Sequence, residues 1–151
     1  MGLAYNNILV PYDGSTYSQK ALKMAFNMAN AFDSSLYLVN IIDVSAVKPP
    51  GKIHSKESRK TLDQIKNSVK NSVESHLQEI QKEQKESGVI VKGFVLEGDV
   101  TKKILKFIQD KNIDLVIIGS KGRSGVSKII TLGSISRKIS ELAECPVVIV
   151  R

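Results

Sequence analysis

The sequence predicts an α/β fold: a parallel sheet covered by helices on both faces. Three observations predict it. Five short apolar runs punctuate the chain. Segments with apolar residues at spacings of three and four lie between them. Gly, Pro, Asp and Ser stand at the joins, where turns are needed. Apolar strands alternating with helices imply βαβ units, and their crossovers are right-handed by default.

The elements follow in order. "NNILVPYDGS" places a buried strand at about 7–12, ended by turn residues. Ala21, Leu22, Ala25, Met28, Ala29 and Phe32 then recur at helical spacing. A second strand, "LYLVNII", occupies 36–42, and residues 43–58, with Pro49, Pro50 and Gly51, read as a loop. Leu62, Ile65, Val69, Val73, Leu77 and Ile80 form a narrow apolar stripe on a long helix over 61–86, closed by Gly88. The third strand is "VIVKGFVLEG", 89–98. Asp99 caps a helix whose Ile104, Leu105 and Ile108 face inward. "DLVIIG" is the fourth strand. Ile135, Ile139 and Leu142 mark a fourth helix, and "PVVIV", 146–150, is the fifth strand.

The length of 151 residues predicts one domain, 1–151, with a core that needs no staples. One cysteine, Cys145, excludes an internal disulfide and predicts a reducing, cytoplasmic home. Cys145 itself reads as a small apolar packing group. The N-terminus "MGLAYNNILVPYDG" predicts no secretory leader, and no run is long enough to span a membrane. His54 and His76 lack a second ligand at metal-binding spacing.

The net charge is +7 and the pI about 9.5. Between Asp99 and Lys138 stand nine Lys or Arg against three Asp, so most of the excess lies there. Few aromatics accompany it, so the stacking platform of a single-strand nucleic-acid binder is missing. A small anion fits better than a polymer, although a solvated lysine face is the bland alternative.

The anion reading has a location. In open parallel sheets the ligand site lies beyond the carboxyl ends of the strands, where their order reverses. Two loops leave strand ends with suitable chemistry: "PYDGS", 11–15, and "GSKGRSGVSKIITLGS", 119–134. Gly119, Gly122 and Gly125 could let backbone N–H groups converge on an anion, through positive φ and close approach. Gly133, Ser134 and Ser136 open the fourth helix, whose N-terminus adds unpaired N–H groups. The hydroxyls of Ser134 and Ser136 could cap that helix or reach phosphate oxygens, and Lys121 and Arg123 add charge. The stretch is neither a Walker A loop nor a dinucleotide fingerprint. Asp13-Gly14-Ser15 can equally be an ordinary turn with Ser15 or Thr16 as helix cap.

These segments together resemble the universal stress proteins. The resemblance is carried by "NNILVPYDGSTYSQKALKMA", "LYLVNIIDV", "EGDVTKKILKF" and "GSKGRSGVSKIITLGS" with its flanks "DLVIIG" and "ISRKISELAECPVVIVR". It is weakest over 44–88. It implies a flavodoxin-like, Rossmann-related fold with strand order 3-2-1-4-5, and a homodimer through the last strand. The ATP-binding branch of that family carries Gly-x2-Gly-x9-Gly-Ser/Thr. Gly119, Gly122, Gly133 and Ser134 match its fixed positions, but ten residues, 123–132, separate Gly122 from Gly133, one more than the motif has. The resemblance implies that Asp13 sits near the adenosine part of a nucleotide, with Pro11, Tyr12 and Ser15 lining the same loop. It places Ile41 near adenine, and Ile135, next to Ser134, is a further candidate binding residue.

Three functions are compatible with these residues. The first is a stress-response module that binds ATP or another adenine nucleotide, with a divalent cation held by the phosphates, and switches conformation or partner. The second is a slow ATPase, for which the loops offer little: Asp13 is their only acidic residue, and the resemblance places it away from the phosphates. The third is a nucleotide-free dimeric interaction module, favoured by the extra residue at 123–132. Binding is expected over turnover, with no nucleic-acid or membrane partner.

Overall fold

The structure is a computed structural model that describes residues 4–43, 56–122 and 133–151. Five parallel strands form one sheet in the order β3-β2-β1-β4-β5. They are β1 (Asn7–Pro11), β2 (Ser35–Ile42), β3 (Ile90–Glu97), β4 (Leu115–Gly119) and β5 (Val147–Val150). The helices are α1 (Thr16–Phe32), α2 (Lys56–Glu83), α3 (Val100–Asp110) and α4 (Ser134–Leu142). Order and fold class are those expected. The order reverses between β1 and β4, which pair through Ile8 with Leu115 and Leu9 with Val116.

Strand alternation divides the core into two layers. Ile8, Val10, Leu36, Leu38, Leu115 and Ile117 face α1 and α2, with Ala21, Ala25, Leu77 and Ile80 packed on them. Leu9, Tyr37, Val39, Val116 and Ile118 face α3 and α4, meeting Ile104, Phe107, Ile108 and Ile139. Both faces of the central strands are therefore apolar, and their runs lack the period-two polarity of a half-solvated sheet.

Several boundaries differ from expectation. The segment 43–58 read as loop, yet α2 begins at Lys56. The Lys, Glu and Arg residues that follow are good helix formers, and the breakers Pro49, Pro50 and Gly51 lie outside the described residues. The helix ends at Glu83, and a short 3-10 turn over Lys85–Ser87 carries the chain to Gly88, whose φ is 78°. At 28 residues α2 is about 42 Å long, whereas the eight residues of β3 span about 26 Å. The apolar stripe is accordingly buried at Leu77 and Ile80 but exposed at Ile65 and Val69. Leu142, expected to mark the inner face of α4, is 58% exposed in its last turn. Leu105 is half-buried beside the fully buried Ile104.

Side-chain hydrogen bonds fix the start of the sheet and the start of α3. Asp114 accepts from the Asn6 and Asn7 amides at 2.8 and 3.1 Å, which joins the starts of β1 and β4. Asp99 caps α3 by accepting from the Lys102 amide at 2.9 Å, as its position predicts. Cys145 is half-buried among the α3/α4 layer. Desolvation pushes its thiol pKa up, and the Asp114 charge adds to this against an opposing backbone hydrogen bond. Among the described residues no helix is long and apolar enough to cross a membrane.

Candidate functional site

The loops after β1 and β4 are neighbours because their strands pair. Each is shaped by its own chemistry. In the first, Asp13 Oδ1 accepts from the Ser15 amide at 2.9 Å, closing a turn over Gly14. Gly14 has φ of 80°, a conformation that favours glycine. Ser15 then caps α1: its hydroxyl accepts from the Ser18 amide at 3.2 Å. Of the two caps the sequence allowed, Ser15 is the one used. Asn40 on β2 holds the loop from the side by donating to the Tyr12 carbonyl at 2.8 Å.

The second loop starts at Gly119, which is buried under the first turn of α1. A Cβ on Gly119 would lie 2.8 Å from the carbonyl carbon and the Cβ of Tyr17, and 3.0 Å from the Ser18 amide nitrogen. The next residue, Ser120, is also buried, and its amide donates to the Val150 carbonyl on β5 at 2.8 Å. Its own carbonyl accepts from the Gly133 amide at 2.7 Å and from the Ser136 hydroxyl at 3.0 Å. The chain that leaves at Lys121 is thereby brought back at Gly133. A Cβ on Gly133 would meet the Ser120 oxygen at 3.3 Å and Lys121 Cα at 3.4 Å. Gly122 is exposed and faces the other loop: a Cβ there would lie 3.1 Å from Asp13 Oδ2.

These contacts correct the expected role of the glycines. Positive φ is one reason for a glycine, yet among the described glycines only Gly14, Gly88 and Gly98 have it. Gly133 is extended, with φ −62° and ψ 156°. At Gly119 and Gly133 backbone crowds the place of a side chain, whereas Gly122 meets only one carboxylate oxygen. The serines are also reassigned. Gly133, with no side chain, is the N-cap of α4, and Ser134 is its first, exposed residue. Ser136 is 2% exposed and its hydroxyl is directed at backbone carbonyls, so it does not face a ligand.

The remaining expected residues divide between the two faces of the sheet. Ile41 is half-buried on the α3/α4 side, and alternation puts Pro11 on the same side as Leu9. Ile135 packs there as well. The Tyr12 side chain lies on the opposite side, in the α1/α2 layer, where its hydroxyl is 3.2 Å from His76 Nε2 and the two rings stack at 5.8 Å. Lys121 is half-buried at the mouth of the second loop. Arg123 and Gly125 lie outside the described residues, as does the ten-residue spacer 123–132. The stem is closed with that spacer at its present length, through the Gly133 amide and Ser120 carbonyl.

Asn40 and Ser120 were not singled out from the sequence. Asn40 has a signal, as one amide inside the apolar run "YLVNII". Ser120 has none beyond its place after a buried strand. With them the arrangement is complete: the first turns of α1 and α4 abut consecutive residues at the end of β4, from opposite sides of the sheet. Two helix N-termini thus bring partial positive charge to one strand end, a setting that favours an anion.

Strand order and loop placement define a flavodoxin-like, doubly wound α/β protein. The chain belongs to the universal stress protein family, whose sequence profile matches residues 4–151. Universal stress protein MJ0531 of Methanocaldococcus jannaschii is 31% identical over 147 residues, covering 97% of this chain and 82% of the relative. Universal stress protein YxiE of Bacillus subtilis is 32% identical over 150 residues, covering 97% and 99%. Universal stress protein UspA from Lactobacillus plantarum shares the fold with a TM-score of 0.86 at 23% identity, covering 99% of this chain and all of that one. More distant folds include a universal stress protein in complex with cAMP (TM-score 0.68, 19% identity, 99% and 98% covered). Another is an Arabidopsis thaliana family member with AMP bound (TM-score 0.65, 18% identity, 96% and 90% covered).

The contacts separate the two glycines of the second loop. Gly119→Ala forces a methyl into the α1 backbone and is expected to cost about 1–3 kcal/mol of stability. Gly122→Ala meets only one carboxylate oxygen at an exposed position and should stay within about 0.5 kcal/mol of wild type. Urea denaturation of both variants measures this; equal losses would contradict the packing assignment.

Proposed function

We propose that this chain is a one-domain adenine nucleotide-binding module, with the nucleotide held across the crevice beyond β1 and β4. The observation that carries this reading is the approach of Gly122 to Asp13 between the N-termini of α1 and α4. It offers an anion-attracting end and a carboxylate end within one cleft. The phosphates would take the N-terminus of α4, with Ser134 exposed beside them and Lys121 and Arg123 adding charge. A divalent cation would be carried by the phosphates. Asp13, on a turn tied to Asn40, would face the sugar, while Pro11 and Ile41 supply apolar surface on the α3/α4 side. Fold neighbours with AMP and cAMP bound support an adenine nucleotide as the ligand class. ATP is the form suggested by the match of Gly119, Gly122, Gly133 and Ser134 to the ATP-branch motif.

Binding, rather than turnover, is the function of this site. Hydrolysis needs a group that orients water at the terminal phosphate. Across 11–15 and 119–134 Asp13 is the only carboxylate, and in this reading it faces the sugar rather than the terminal phosphate. A nucleotide that prefers one conformation shifts its population and so changes what the protein can dock with. A nucleotide-dependent interaction switch in a cytoplasmic stress response follows. The dimer it acts through would form at β5, an apolar edge strand that pairs with β4. Edge strands of this kind invite pairing unless protected.

Adenine nucleotide at about 100 times its Kd should stabilise the fold by about 2.7 kcal/mol, a melting shift of about 5–10 °C. Differential scanning fluorimetry with AMP, cAMP and ATP, together with mass spectrometry of nucleotide carried through purification, tests this. No shift at millimolar concentrations and no carried nucleotide would favour the nucleotide-free dimeric module, which the longer spacer at 123–132 would then explain. For the dimer, Val148→Lys should give a folded monomer by light scattering. A monomeric wild type would sink the β5 interface.

A further inference from the structure

We propose that Ser136 is a positioning residue, which aims the N-terminus of α4 at the anionic part of the ligand without touching it; this rests on the nucleotide reading above. Ser136 is the third residue of a nine-residue helix and is 2% exposed. Its hydroxyl lies 3.0 Å from the Ser120 carbonyl, sixteen residues earlier in the chain, and 3.0 Å from the Gly133 carbonyl. It has one proton to donate, shared between the two. The Gly133 amide donates to the same Ser120 oxygen at 2.7 Å. One carbonyl therefore receives two donors from two successive points on the start of α4.

The geometry of two donors differs from that of one. A single hydrogen bond from Gly133 fixes a point and leaves the helix free to rock about it. A second, from one turn further in, removes that rotation. Ser120 is a rigid anchor, because its amide is bound to Val150 on β5 and its residue is 4% exposed. What the clamp orients is specific. The first backbone bond into α4 runs from the Arg137 amide to the Gly133 carbonyl at 3.1 Å. The N–H groups of Ser134, Ile135 and Ser136 precede it and point out of the helix end. These donors and the helix dipole act on phosphate, and their strength depends on direction. The Asp13 turn is held separately, by Ser15 and Asn40. Loss of the Ser136 hydroxyl should therefore weaken the hold on phosphate and spare the hold on the nucleoside.

The test compares wild type, Ser136→Ala and Ser136→Thr by titration calorimetry with ATP and with adenosine. Circular dichroism melts of each accompany it. Ser136→Ala should bind ATP about three- to tenfold more weakly, the scale of one net hydrogen bond, and adenosine as wild type does. Ser136→Thr keeps a hydroxyl that can reach a preceding carbonyl in a helix and should restore ATP affinity. If Thr does not fold at so buried a site, the ATP-against-adenosine split of the Ala variant decides alone. Equal ATP affinity in Ser136→Ala and wild type overturns the positioning role and leaves the nucleotide reading standing. Parallel losses for ATP and adenosine also overturn it, since they mark general loosening. Wild type that binds neither ligand overturns both.

Discussion

The Ser120 carbonyl is the point on which the candidate site depends. Its residue directly follows strand β4, is tied to β5 through its amide, and its carbonyl receives both the Gly133 amide and the Ser136 hydroxyl. Burial makes these bonds obligatory, because an unpaired polar group there would cost about 1–3 kcal/mol. The exit of β4 and the entry of α4 are thereby stapled together. The extra residue in the glycine motif consequently does not prevent Gly133 from standing against Ser120 and Lys121. Fixed ends tolerate a change of length between them, since loop-closure cost grows only slowly with length.

The same stem explains why glycines cluster here. Gly119 lies against the backbone of α1, Gly133 against the departing backbone at Ser120 and Lys121, and Gly122 against the Asp13 carboxylate. Three different neighbours lie close to the three glycines, and the tightest contact is at Gly119. Among the described glycines of the site, the one with positive φ is Gly14, in the other loop, where it lets Asp13 fold back on the Ser15 amide. Close packing at the end of β4 thus brings both helix N-termini and both loops to one place. The result is a strand end where donor-rich helix N-termini and the Asp13 carboxylate stand close together, on elements packed against the two hydrophobic layers.

Much of the fold was legible because the physics that builds it is local. Buried parallel strands leave apolar runs, helices leave periodic stripes, and Asp99 and Ser15 stand where caps must be. The resemblance to universal stress proteins added the strand order, which periodicity cannot give. What escaped the sequence depends on long-range contact. The start of α2 was missed because Pro49, Pro50 and Gly51 drew the loop too far. The exposure of Ile65 and Val69 follows from helix and strand lengths, not from the stripe itself. In the site, the glycines were legible as a motif, but which atom each one avoids was not. Neither was the inward turn of Ser136, nor the pairing of Tyr12 with His76 across 64 residues.

The central claim is that an adenine nucleotide lies across the ends of β1 and β4. Chemical-shift mapping of the amide-labelled protein during a titration with AMP tests it most directly. The account predicts that the perturbed amides gather at Asp13–Ser15, Ser120–Gly122 and Gly133–Ser136, while those at the start of β3, Ile90–Lys92, stay in place. Perturbations centred on the β3 edge, or none at saturating nucleotide, would contradict it.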